Sequence, residues 1–191
     1  MPILYIFAGV NGAGKSTLTQ SQFNKVIPYE INADEISRRN GRDWQDNSKN
    51  LAAMRIAANE LKGHIKHHET CSFETTLAAH VKTYEKILDD AKSEGFKLCL
   101  LYVGLSSAEL AIERVKIRVA NGGHGVRKEM IKKRYDRSLN TLYELIRKFD
   151  SVSIYDNSGD SLIRIYQRID NKHFMTSELP NWSRKIIAHD N

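Results

Sequence analysis

The sequence predicts an α/β fold in which a central parallel sheet is covered by helices on both faces. Short apolar runs at residues 3–8 and 97–103 have the length of buried strands, and segments with helical spacing of apolar residues alternate with such runs. This alternation implies right-handed crossovers between parallel strands. The 191 residues, 41% of them hydrophobic, are enough for a single domain, 1–191, with a sizeable core.

The first half of the chain contains three predicted strands and three predicted helices. The run at 3–8 stops at Gly9 and is followed by a helical pattern over 15–25. Residues 26–31 are expected to be extended around Pro28, and a polar stretch separates them from a helix over 50–68. A strand is expected at 69–73, and a helix over 81–93 has Tyr84 and Leu88 on its apolar face and Gly95 beyond its end.

The second half repeats this alternation. The strand at 97–103 is followed by a helix over 108–119, for which Ser106 or Ser107 is the expected N-cap. A helix over 128–149 and a strand at 152–155 come next, and a turn begins at Asp156. Trp182 is expected to anchor the C-terminal tail, about 171–191, onto the domain.

Composition excludes several classes of protein. No apolar run approaches the roughly 20 residues of a membrane span, and two cysteines cannot form a disulfide framework, so we expect a cytoplasmic protein with reduced thiols. The 29 basic and 23 acidic residues leave a net charge of +6. That charge favours polyanionic partners, which can be nucleic acid or nucleotide phosphates.

A glycine-rich motif follows the first predicted strand. Residues 9–16, Gly-Val-Asn-Gly-Ala-Gly-Lys-Ser, match the pattern G-x-x-x-x-G-K-[ST] between a strand and a helix. The N–H groups of such a loop surround phosphate oxygens, its lysine reaches the β and γ phosphates, and its hydroxyl binds Mg²⁺. We therefore expect a P-loop that binds ATP or GTP with Mg²⁺ on Ser16. The predicted nucleotide contacts are Gly9, Asn11, Gly12, Ala13, Gly14, Lys15, Ser16 and Thr17.

Two acidic residues follow the second and third predicted strands. Asp34 and Glu74 should face the crevice of the P-loop, because open α/β sheets bind ligands at the carboxyl ends of their strands. A carboxylate there accepts the proton of an attacking hydroxyl or holds Mg²⁺ through water. The alternatives are an N-cap for Asp34 and a surface charge for Glu74. The strand at 97–103 ends without the aspartate that usually serves Mg²⁺, which argues against an ordinary hydrolysing ATPase.

Basic residues cluster around a glycine-rich turn at 122–125. We predict that residues 114–137 form an arginine-rich helical lid that closes over the γ-phosphate and excludes water. Arg118 and Arg134 are the first candidates for catalytic contacts with phosphate, followed by Arg114 and Arg127. His124 is either a phosphate or base contact or a local hydrogen-bonding residue.

Taken together, these segments resemble the zeta toxin family of P-loop kinases. The resemblance rests on the order and spacing of the following pieces: Gly9 to Ser16, Asn32-Ala33-Asp34, Phe73-Glu74-Thr75-Thr76, Arg114-Val115, Arg118-Val119, Gly122-Gly123-His124, Arg134-Tyr135, Ser138-Leu139-Asn140 and Tyr155-Asp156-Asn157-Ser158. It implies a P-loop kinase fold and phosphorylation of UDP-N-acetylglucosamine with ATP or GTP.

The resemblance also implies residue roles. Asp34 would take the proton of the sugar hydroxyl, Glu74 with Thr75 would bind the sugar, and Lys15 would anchor the phosphates. The lid arginines would clamp the γ-phosphate. Any antitoxin would be a separate protein.

Three functions remain open at this point. The first is transfer of the γ-phosphate to a hydroxyl of a small molecule. The second is a nucleic-acid-associated ATPase or polynucleotide kinase; the positive charge favours it, whereas only 8% aromatic residues and no basic stretch interleaved with aromatics argue against it. The third is a binding module that kept the P-loop without chemistry.

Overall fold

A mixed sheet forms the centre of the computed structural model, which describes residues 1–23, 26–39 and 47–191. Within this part of the chain the sheet has seven strands: β1 (Ile3–Ala8), β2 (Tyr29–Asn32), β3 (Cys71–Thr75), β4 (Lys97–Gly104), β5 (Ser151–Asp156), β6 (Ile163–Ile169) and β7 (Lys172–Met175). Their spatial order is β2-β3-β1-β4-β5-β6-β7. The first five strands run parallel, whereas β6 and β7 are antiparallel to their neighbours.

The described helices cover both faces of this sheet. They are α1 (Lys15–Leu18), α2 (Ala33–Arg39), α3 (Asn47–Lys66), α4 (Val81–Ser93), α5 (Ala108–Ala120), α6 (Lys128–Leu145) and α7 (Asn181–Asp190). A π-helical turn over Thr19–Phe23 continues α1, and a 3₁₀ turn over Ile146–Lys148 continues α6. Ser107 is the N-cap of α5, where its hydroxyl accepts a hydrogen bond from the N–H of Leu110 at 3.1 Å.

The central strands are apolar on both faces because they lie between two cores. Leu4 and Ile6 of β1 pack into a core with α3, α4 and α6, whereas Phe7 packs into a second core with α1 and α5. In β4, Leu100 packs into the first of these cores and Leu101 into the second. Burial on both sides explains why these strands have continuous apolar runs rather than alternating ones.

The predicted α/β fold is confirmed, with corrections to single elements. The sheet is mixed rather than parallel because only residues 157–162 connect β5 to β6, too few for a crossover helix. The second and third strands begin three and two residues later than predicted, and the third ends at Thr75, which places Glu74 inside β3. The first helix is shorter than the predicted 15–25. The last two residues of that prediction, 24–25, lie outside the described residues, and so do residues 40–46 of the polar stretch.

Two expectations from composition can be compared with the described residues. Cys71 and Cys99 are both unpaired there. No helix in that part of the chain is long and apolar enough to cross a membrane.

Candidate functional site

The glycine-rich loop emerges from β1 at the middle of the sheet, between the ends of β3 and β4. Gly14 stands at the N-cap of α1 with φ +98°, a left-handed conformation that a side chain would strain. Asn11 and Ala13 are buried, whereas Ser16 and Thr17 are exposed at the start of the helix. The loop therefore presents its hydroxyl side to the crevice.

Lys15 is buried within the loop that it follows. Its Nζ donates hydrogen bonds to the carbonyl oxygens of Gly9 at 2.9 Å and Val10 at 3.4 Å, and it lies 3.7 Å from Oε1 of Glu74. A buried ammonium is stable only when it is paired and hydrogen-bonded, and these three groups satisfy it. Phosphate oxygens can replace them at little cost in desolvation, because the charge is already out of water.

Glu74 joins the lysine to the hydroxyl of the loop. It is paired with Phe7 of β1, and its Oε2 accepts a hydrogen bond from Oγ of Ser16 at 3.4 Å. Burial raises the pKa of Glu74; Lys15 opposes that shift and Asp34 adds to it. The interpretation of Glu74 as a surface charge is wrong, since its side chain is only 17% exposed.

The position of Glu74 also supplies the strand-end acid that β4 lacks. Both β3 and β4 flank β1, so an acid on either strand can reach the loop. One carboxylate beside a hydroxyl, with further oxygens from phosphate and water, is the donor set that Mg²⁺ prefers. Ser16 and Glu74 therefore fit a magnesium ion bound together with nucleotide.

Asp34 lies across the crevice in the first turn of α2. The carboxamide oxygen of Asn32 accepts hydrogen bonds from the N–H groups of Asp34 at 2.9 Å and Glu35 at 3.4 Å, so Asn32 caps this helix. The alternative of Asp34 as N-cap is therefore wrong. Its carboxylate is half-exposed, and Nε2 of His124 approaches Oδ1 at 3.8 Å.

Two arginines of the predicted lid turn toward this crevice. Arg134 on α6 donates a hydrogen bond from Nη1 to Oδ1 of Asn11 at 2.9 Å. Burial lowers the pKa of Arg134 and Asp34 opposes the shift, while the guanidinium keeps its charge. The positive charge of Arg118 on α5 acts to lower the pKa of Glu74. Its Nε and Nη2 are buried without a hydrogen-bond partner among the described residues. These two donors suit an anionic ligand.

The other lid arginines point elsewhere. Arg114 donates a hydrogen bond to the carbonyl oxygen of Gly159 at 3.3 Å, and Arg127 is exposed at the N-cap of α6. The helices α5 and α6 occupy the predicted lid segment, and closure over a phosphate stays a prediction.

Two residues near the site are not among the predicted site residues. The hydroxyl of Tyr84 lies 2.9 Å from Oγ1 of Thr75, so the predicted sugar contact is already engaged within the fold. Asn157 donates a hydrogen bond from Nδ2 to the carbonyl oxygen of Ala13 in the loop at 2.8 Å. In the sequence, Tyr84 fits an apolar helix face and Asn157 fits a turn. Neither pattern predicts the hydrogen bonds that these two side chains make.

Comparisons with known proteins show which chains this one resembles. The zeta toxin family model matches residues 1–168. An uncharacterized protein of Haemophilus influenzae is 32% identical over 135 residues, which are 68% of this chain and 89% of that protein.

Solved structures give the same fold at low identity. A structure from the PezAT chromosomal toxin-antitoxin system of Streptococcus pneumoniae has a TM-score of 0.66 at 18% identity and covers 87% of this chain and 71% of that one. The AvrRxo1-ORF1:-ORF2 crystal structure with ATP has a TM-score of 0.70 at 12% identity over 92% of this chain, which spans only 60% of that chain.

Proposed function

The chain belongs to the zeta toxin family, and from this premise we propose that it transfers the γ-phosphate of ATP or GTP, bound with Mg²⁺, to a hydroxyl of a small molecule. The family and the fold of its neighbours support a kinase-type phosphotransferase. Beyond this class of reaction, we propose the dependence on magnesium and the identity of the acceptor.

One observation carries the proposal. Glu74 contacts both Lys15 and Ser16, and Asp34 acts electrostatically on the same carboxylate from the opposite side of the crevice. One acid, Glu74, therefore contacts the phosphate loop, whereas the other, Asp34, is half-exposed and open to an acceptor. A kinase uses a carboxylate in such a second position to accept the proton of the acceptor hydroxyl.

The roles of the residues follow from these positions. Lys15 holds the β and γ phosphates, and Ser16 with Glu74 holds the Mg²⁺, which supplies positive charge against the phosphate oxygens. Asp34 accepts the proton of the acceptor hydroxyl as the phosphate is transferred. Arg118 and Arg134 stabilise the charge that develops on the transferred group.

We further propose UDP-N-acetylglucosamine as the acceptor, on the resemblance to the zeta toxin family. The imidazole Nε2 of His124 lies 3.8 Å from Asp34, and the guanidinium of Arg134 interacts with Asp34 electrostatically, which suits an acceptor that carries both hydroxyl and phosphate groups. A separate antitoxin protein is the proposed partner, because one neighbour comes from a toxin-antitoxin system. A cytoplasmic location is part of the same proposal.

The experiment is an acceptor panel read by mass. The purified protein is incubated with Mg-ATP or Mg-GTP and with UDP-sugars, nucleosides or oligonucleotides, with Lys15→Ala as the control for contaminating kinases. We expect UDP-N-acetylglucosamine to gain one phosphate. A phosphorylated oligonucleotide end would establish the polynucleotide kinase instead, and nucleoside diphosphate release with every acceptor unchanged would contradict the proposed transfer.

A further inference from the structure

The C-terminal helix α7 packs against the ends of β4 and β5, although it lies outside the residues that the family model matches. Trp182 in its first turn packs the six-membered ring of its indole against Gly104 at the end of β4. A Cβ at Gly104 would overlap the indole ring, so this strand end approaches the ring as only glycine can. The expectation that Trp182 anchors the tail is confirmed by this contact.

A series of hydrogen bonds continues from Trp182 to the loop. The indole N–H donates to Oδ1 of Asp156 at 2.9 Å, and that oxygen also accepts from the hydroxyl of Ser158 at 2.6 Å. The N–H of Asn157 donates to the carbonyl oxygen of Gly104 at 3.0 Å, and its side-chain Nδ2 donates to that of Ala13 at 2.8 Å. The end of β5 is therefore held between α7 on one side and the phosphate loop on the other.

This arrangement bears on how well the loop binds a nucleotide. A P-loop binds phosphate with backbone N–H groups that must already point inward, and preorganisation of this kind lowers the cost of binding. Ala13 is fully buried, so its carbonyl oxygen has little access to water as a replacement for Asn157. Loss of that hydrogen bond should let the peptide of Ala13 rotate and misdirect the neighbouring N–H groups.

The far end of α7 is fixed independently of the loop. The buried carboxylate of Asp190 accepts hydrogen bonds from Arg168 Nε at 2.9 Å and from the hydroxyl of Tyr166 at 2.8 Å. A substitution there weakens the docking of α7 without touching Trp182. The helix thus offers a control that separates stability from nucleotide affinity.

We propose that Trp182, Asp156 and Asn157 are positioning residues that hold the phosphate loop in its nucleotide-binding shape, so that the contact of Trp182 with Asp156 strengthens nucleotide binding. Nucleotide binding is the only part of the proposed function on which this rests. The tail of the chain is then a functional part of the kinase rather than only a cover for its core.

The test measures nucleotide affinity by calorimetric titration with Mg-ADP. Trp182→Phe keeps an aromatic side chain on α7 but removes the indole N–H, and Asn157→Ala removes the hydrogen bond to the loop. Each should weaken binding about 3- to 10-fold, the loss expected for one hydrogen bond. The double variant should lose less than the product of the two factors, because both act through one series of contacts.

Turnover and stability separate positioning from a general structural role. At saturating Mg-ATP the two variants should keep kcat within about twofold while KM rises, because the chemistry is untouched once nucleotide is bound. Asp190→Asn is the stability control. It should lower the melting temperature at least as much as Trp182→Phe and Asn157→Ala do, yet it should bind Mg-ADP like wild type.

Equal affinity of wild type, Trp182→Phe and Asn157→Ala would overturn the inference, even if transfer to an acceptor is found. Wild type that binds Mg-ADP but phosphorylates no acceptor would refute the proposed transfer while the affinity comparison still decides the role of α7. Wild type that binds no nucleotide would overturn both.

Discussion

Replacing Asp34 by asparagine removes one negative charge from the crevice and leaves its shape unchanged. The cap on α2 is provided by Asn32 through the backbone of Asp34, so the helix should persist. The side chain is 48% exposed, and the imidazole Nε2 of His124 lies 3.8 Å from its Oδ1. The substitution should therefore act mainly on the acceptor side of the site.

The size of the effect follows from the assigned role. A positioned general base contributes about 10²- to 10⁴-fold to a rate. Loss of that contribution raises the barrier by about 3–5 kcal/mol at 1.36 kcal/mol per tenfold. ATP affinity should stay within about threefold of wild type, since Asp34 has no contact with Lys15 or Ser16 and acts on the loop only through distant charge.

The assay compares transfer to the acceptor, read by mass under single-turnover conditions, with ATP affinity from calorimetry. Glu35→Gln is the matched control, because Glu35 is the next residue in the same turn and pairs with Arg38 at 2.6 Å on the exposed side. It should transfer like wild type. Wild-type transfer by Asp34→Asn, or a loss of ATP affinity as large as the loss of transfer, would refute the assignment of Asp34 as the base.

Three further predictions concern the loop, its acid and the lid turn. Lys15→Ala should lower both nucleotide affinity and turnover, because it removes the buried charge that faces the phosphates; unchanged calorimetric affinity would contradict this role. Glu74→Gln should abolish transfer and flatten the pH dependence of stability. Burial raises the pKa of Glu74, so in the nucleotide-free wild type this group contributes its full stability below the unfolded pKa of about 4.3, and the contribution is lost as pH rises through the folded pKa. The amide does not titrate, so melting curves of the variant between about pH 4 and pH 8 should lack this loss. Gly123→Ala should slow transfer about tenfold, because its Cβ would displace the aliphatic part of the Arg118 side chain. Gly122→Ala is the control: Gly122 has φ +79° but open space around it, so the substitution should lower stability without slowing transfer. Equal transfer rates for the two variants would argue against the role of Arg118.

The fold and the loop could be predicted because their signals are local. A strand such as β1, buried on both faces, leaves a continuous apolar run, and the loop leaves its glycines and lysine at fixed spacing. The spatial order of the strands leaves no such signal. The sequence therefore showed that β4 ends without an acid, but not that Glu74 on the other neighbour of β1 would reach Ser16.

The C-terminal part of the chain was the least predictable. Strands β6 and β7 are at the edge of the sheet and carry charged residues such as Arg164 and Lys172, so they lack the apolar runs of the central strands. Asn157 and Trp182 acquire their positions from contacts with Ala13 and Gly104, far away in the chain. Residues of this kind show no periodicity, because tertiary packing alone brings them to the site.

The most direct test of the central claim is the stoichiometry of the reaction with UDP-N-acetylglucosamine and Mg-ATP. ADP, free phosphate and phosphorylated acceptor are quantified in the same sample over one turnover of the wild-type protein. A phosphotransferase site of the kind described predicts ADP and phosphorylated acceptor in equal amounts, with free phosphate near the level of the Lys15→Ala control. Free phosphate equal to ADP, with the acceptor unchanged, would contradict it.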